Sequence, residues 1–82
     1  MTARLQLVVR DGCHLCDEAA ATLAALAAET GLEPPAHIDV DADPEWQAEY
    51  GDRVPVVLLD GAEHSYFTVD VPRLRRDLRP GP

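Results

Sequence analysis

The chain has 82 residues, 46% of them hydrophobic, and a formal net charge of -8. That is one domain with a modest core. The acidic balance and the lack of any lysine argue against a nucleic-acid partner, which needs a basic face, and no apolar run approaches the roughly 18 residues of a membrane span.

Met1-Thr2-Ala3-Arg4 leads straight into strand-like sequence. The apolar stretch and small-residue cleavage site of a signal peptide are missing, so a cytoplasmic location is expected. Leu5, Leu7 and Val9 alternate with Arg4, Gln6 and Val8, which predicts a first strand ending at Arg10, apolar enough on both faces to be interior. Asp11-Gly12 makes a turn. From His14 to Thr30, Leu15, Ala19, Leu23 and Leu26 recur at helical spacing among alanines, and Gly31 supplies a left-handed stop. After Pro34-Pro35, Ile38 and Val40 alternate with His37, Asp39 and Asp41 as a second strand.

Asp43-Pro44 opens a short helix closed by Gly51, with Trp46 and Tyr50 on one packing face. Arg53-Val54-Pro55 leads into Val56–Leu59, and Asp60-Gly61 is a tight-turn pair joining it to a partner strand around His64 to Thr68. Asp70 caps a last helix whose buried stripe is Val71, Leu74 and Leu78. The arginines Arg73, Arg75, Arg76 and Arg79 read as its solvated face. The domain is set at residues 1–79, with 80–82 as a tail. This order predicts an α/β fold, β-α-β-α-β-β-α, in which a right-handed parallel crossover and a hairpin build a four-stranded mixed sheet with helices on both faces.

The chain's two cysteines stand at the strand-to-helix junction, Cys13-His14-Leu15-Cys16. Negative charge on Cys13 would sit where the first N–H groups of the helix lack intrahelical partners, which makes Cys13 the candidate nucleophile. Cys16, about one turn on, points the same way and can resolve a mixed disulfide formed on Cys13. Arg10 and a protonated His14 would favour a charged sulfur, whereas Asp11, Asp17 and Glu18 oppose it. A zinc site would need four ligands, and His14, His37 and His64 are too scattered in sequence to form the second half of one, so no metal is expected.

On Cys13-His14-Leu15-Cys16, Val54-Pro55 and Asp60-Gly61, the chain resembles the glutaredoxin branch of the thioredoxin superfamily, in particular small bacterial glutaredoxin-like proteins bearing Gly-Cys-His-Leu-Cys. The resemblance implies a thioredoxin-like (glutaredoxin-type) fold and a dithiol oxidoreductase that reduces protein disulfides or glutathione mixed disulfides. It also implies that Pro55 is cis and faces the cysteines, and that the backbone of Val54 pairs with substrate or glutathione. Arg10 holds the family's basic position three residues before the first cysteine, where it can meet a glutathione carboxylate. The family's Gly-Gly pair after the hairpin is replaced by Ser65–Asp70, so that Tyr66, Phe67 or Val69 can fill part of the glutathione groove. Asp70 would there repel a carboxylate unless the helix start outweighs it.

No bound cofactor is expected. Glutathione is a candidate co-substrate, and a reductase or glutathione is the recycling partner of a monomer. The alternative is a non-catalytic adaptor that kept the fold and uses the Cys13/Pro55 groove for binding.

Overall fold

The central strand determines where everything else goes, and it is the first one formed by the sequence. The computed structural model describes residues 4–78; the tail expected at 80–82, and Arg79, lie outside the described residues. Strand β1 (Leu5–Val9) leads into helix α1 (His14–Thr30), followed by β2 (Ala36–Asp39), a 3-10 turn at Val40–Ala42, α2 (Pro44–Tyr50), β3 (Val56–Leu59), β4 (Ala62–Tyr66) and α3 (Val71–Leu78). The sheet order is β2-β1-β3-β4. β2 runs parallel to β1, with Val8 opposite Ile38, and β3 runs antiparallel to it, with Val8 opposite Val56. This is the predicted four-stranded mixed sheet.

Two cores flank it. Leu5, Leu7 and Val57 meet Ala19, Leu23, Leu26 and Ala27 of α1 and Leu74 and Leu78 of α3 on one face. Val8, Val40, Val56 and Leu58 form the other, covered by Trp46 and Tyr50 of α2, whose rings stack with centroids 5.6 Å apart. Helices therefore lie on both faces, the long and the last on one side and the short one on the other. Asp43 caps α2 by accepting from Glu45 N–H at 2.8 Å, and Gly31 ends α1 at φ 73°, as the sequence predicts. Asp60 and Gly61 turn the hairpin with φ of 52° and 88°, the positive pair that matches the strand twist.

Several expectations need correction. Val40 is not a strand residue: Asp39 accepts from Asp41 N–H at 2.9 Å, and this side-chain turn ends β2. Val40 is nevertheless fully buried, carried into the second core by the 3-10 turn. Leu15 is 43% exposed, and Cys16 takes its place in the buried stripe, because Leu15 lies on the stripe's margin in the first helical turn. Val71 is only half-buried. The fourth strand begins earlier and ends at Tyr66.

A register shift pairs Val57 with Ser65 but Leu58 with Glu63, leaving His64 as the extra residue of a bulge. The bulge turns His64 toward α3, where its Nε2 lies 2.7 Å from Asp77 Oδ2 and Arg73 donates to its backbone carbonyl. Arg75 grips Glu29 of α1 through two bonds of 2.8 and 3.2 Å. Arg73, Arg75 and Arg76 form the exposed face the sequence predicts, and from it Arg73 and Arg75 also tie α3 to β4 and α1.

Truncating Leu23, which has no exposed surface, to alanine should lower the unfolding free energy by about 2–5 kcal/mol in urea denaturation. Hydrogen bonding to His64, with help from Arg76, holds the Asp77 carboxyl below its ordinary value. The ionised carboxylate therefore stabilises the fold above its unfolded pKa, and that contribution is lost as pH falls through the lower folded value. Wild type should be more stable than Asp77→Asn at neutral pH, with the gap closing below about pH 4; a gap independent of pH would refute the linkage.

Candidate active site

The register gathers the chain's distinctive residues at one end of the sheet. β1 delivers Arg10 to Cys13 there, and because β3 is antiparallel to β1, Val54-Pro55 enters β3 at the same end. β4 leaves at that end through Tyr66 and Phe67, and Phe67 N–H donates to Pro55 C=O at 2.8 Å. The Val54-Pro55 bond is cis, as the resemblance implies. The N–H and C=O of Val54 take no hydrogen-bond partner among the described residues. They remain free to pair with an extended ligand.

Gly12 turns the chain at φ 72°, in the left-handed region where glycine carries no steric penalty. Cys13 follows as the N-cap of α1 in extended conformation, half-buried. Its Sγ accepts from Cys16 N–H at 3.1 Å, the position of a capping oxygen in ordinary helices. One orphan donor of the helix start is thus aimed at sulfur. Cys16 is 3% exposed. Burial, reinforced by hydrogen bonding to Cys13, pushes its thiol up from 9.0 to about 11, so it is a protonated thiol at neutral pH. A cavity of about 210 Å³ reaches Cys16 from the β2 side, lined also by Arg10, Asp17, His37 and Asp39.

Each remaining residue predicted for the site has a definite place. Arg10 is engaged by Asp41, donating from Nε at 3.0 Å and from its second terminal nitrogen at 3.2 Å, and by the Gly51 carbonyl at 3.2 Å. It lines the Cys16 cavity, and its hydrogen bonds hold the Asp41 carboxyl below the ordinary range. His14 faces solvent, 86% exposed, with Nε2 3.3 Å from Glu18. Asp70 caps α3, accepting from Arg73 N–H at 3.2 Å.

On the other side of α1 lies a groove of about 190 Å³ walled by Leu15, Glu18, Ala19, Phe67, Val69 and Val71. Phe67 occupies it from a backbone at φ 66°, a strained conformation for a bulky residue, and packs edge-on against Tyr66 at 5.0 Å. The sequence flags Phe67 and Val69 through the missing glycines. Leu15 escapes, because helical spacing assigns it to the core. Asp41 escapes too, since nothing local pairs it with a residue 31 positions away.

This arrangement has relatives. Uncharacterized proteins of Mycobacterium tuberculosis and Mycobacterium bovis are 48% identical over 80 residues, covering 92% of this chain and 81% of theirs. The X-ray structure of a structural-genomics target protein from X. campestris superposes with a TM-score of 0.65 at 35% identity, covering 93% of this chain and 99% of that one. Fasciola hepatica thioredoxin superposes with a TM-score of 0.54 at 29% identity, over 94% of this chain and 80% of the thioredoxin. A model of the glutaredoxin-like domain (DUF836) matches residues 4–79. With its thioredoxin-like sheet and a cysteine pair at the head of α1, the chain belongs to the glutaredoxin-like domain family.

Proposed function

We propose that the protein is a dithiol oxidoreductase that reduces disulfides of polypeptides or mixed disulfides with glutathione. The observation that carries this is the pairing of a half-exposed Cys13, capped into the helix start, with a buried Cys16 directly behind it. The thiolate is the attacking species in thiol–disulfide exchange, and the Cys16 N–H at the helix start faces the Cys13 sulfur. Cys13 Sγ bonds to one substrate sulfur as the substrate S–S bond breaks, and the departing sulfur leaves as thiolate and takes a proton from water. Cys16 then releases its proton and its sulfur attacks Cys13 Sγ. The Cys13–Cys16 disulfide forms, the mixed disulfide breaks, and the second substrate sulfur leaves as a thiol. Two electrons and two protons pass from the cysteine pair to the substrate.

Val54, presenting an unpaired backbone N–H and C=O beside Pro55, is suited to hold an extended segment in strand-like fashion. The cysteines themselves carry the electrons, so the reading calls for no flavin or nicotinamide. A thiol reductant, either glutathione or a reductase, restores the dithiol.

Replacing Cys16 with serine should trap a disulfide substrate on Cys13, seen by intact-mass analysis as one adduct that wild type resolves. An adaptor that only binds would accumulate none, and that result would end the oxidoreductase reading. In wild type, resolution draws on a thiol held near 11. Its rate should therefore climb about tenfold per pH unit from neutral pH upward, following the thiolate fraction. The plateau should come below about 11, since a blocked Cys13 no longer adds its share to a rise that burial dominates. A flat profile in stopped-flow measurements of a preformed adduct would show that resolution is not limited by Cys16 deprotonation.

A further inference from the structure

The exposed large hydrophobic residues among those described are Leu15, Tyr66 and Phe67, at 43%, 50% and 46%. All belong to the cysteine end of the sheet, and two of them wall the groove beside α1. An exposed aromatic held at φ 66° sacrifices both solvation and backbone comfort, the kind of outlier that points to binding rather than to folding.

The one charged residue that lines this groove is acidic. Glu18 stands in its wall, and Asp70 lies between Val69 and Val71, which both line it; Asp11 and Asp17 add negative charge at the cysteines from the far side of α1. The arginines that might offset them are occupied. Arg10 is held by Asp41, Arg53 by Glu63, Arg75 by Glu29, Arg4 by Asp60 and Arg76 by Asp77, and Arg73 donates to the His64 carbonyl. Among the described residues, Arg73 alone has no carboxylate partner, and it does not line the groove. Glutathione, which brings two carboxylates and one ammonium group, meets a negative rim and an aromatic side chain on a chain of net charge -8.

We propose that the groove beside the cysteine pair selects a polypeptide disulfide with an apolar side chain next to the reacting cysteine and positive charge around it, and disfavours glutathione. The apolar side chain packs between Leu15 and Phe67, and its backbone lies along Val54. Lysine or arginine on either side meets Glu18 and Asp70. This inference rests on the oxidoreductase reading and narrows its substrate. The sulfur exchange is that of the preceding section, with the peptide disulfide reduced to two thiols and the cysteine pair oxidised.

The test measures second-order rate constants for the fully reduced protein with four oxidants. These are a peptide disulfide bearing leucine beside cysteine and arginine flanks, the same peptide with glutamate flanks, oxidised glutathione, and the small neutral 2-hydroxyethyl disulfide. At low ionic strength the arginine-flanked peptide should react about tenfold or more faster than its acidic counterpart or oxidised glutathione, and added salt should narrow the gap. Glu18→Lys should shift the preference toward glutathione. Phe67→Gly, which relieves the positive φ and should therefore fold at least as well, should reduce the advantage of leucine over serine beside the cysteine.

Equal or faster reaction with glutathione, or a preference untouched by salt and by both variants, would overturn the proposal while leaving the oxidoreductase reading in place. If no disulfide is reduced, the neutral one included, the oxidoreductase reading itself falls and takes this inference with it.

Discussion

The contact on which the site depends is the burial of the stripe Ala19, Leu23, Leu26 and Ala27 against Leu5, Leu7 and Val57, with Cys16 buried at its head. A helix has one rotational phase that buries such a stripe, and the phase assigns opposite environments to two cysteines only three residues apart. Cys16 is buried and becomes a weakly acidic thiol. Cys13 falls at the cap, where its sulfur meets the N–H of Cys16. A rotation that brought Leu15 inward would cost the packing of Leu23 and Leu26 and would erase the difference between the thiols. The chemical asymmetry that the proposed reaction needs is thus a consequence of core packing.

The sheet register extends that asymmetry into a site. Because β1 is central, pairing with β2 on one side and β3 on the other, its end is bordered by every loop that carries a polar or aromatic group of interest. On the β2 side, Arg10 is locked to Asp41 and Gly51, binding the strand end to α2 and leaving a small polar cavity at Cys16. On the β4 side, the chain bends through Phe67 over Pro55 and makes an apolar groove. One side is polar and the other largely apolar, and α1 stands between them.

The same arginine illustrates how context redirects a residue. Its place before the first cysteine suggests an anion contact, but a guanidinium bonded to a carboxylate through two nitrogens has little left to offer a second carboxylate on that face. The last helix follows similar logic. Arg73 and Arg75 are spent on His64 and Glu29, and they fasten α3 against the edge strand and α1. Surface ion pairs of this kind contribute modestly to stability.

Periodicity, turn chemistry and caps were enough to determine the order of elements, the helix from His14 to Thr30, the Asp60-Gly61 hairpin, the Asp43 cap and the cysteine pair at a helix start, because each is specified by residues within a few positions of one another. The cis Val54-Pro55 bond was legible only through family resemblance. Tertiary structure alone decided that Val40 leaves the strand yet enters the core, that Leu15 faces the groove, that a bulge swings His64 onto Asp77, and that Asp41 captures Arg10. Each of these depends on a partner distant in sequence. Local pattern cannot rank such partners, since the choice is made by which strand ends the sheet register brings together and which side chains then compete for the same space and charge.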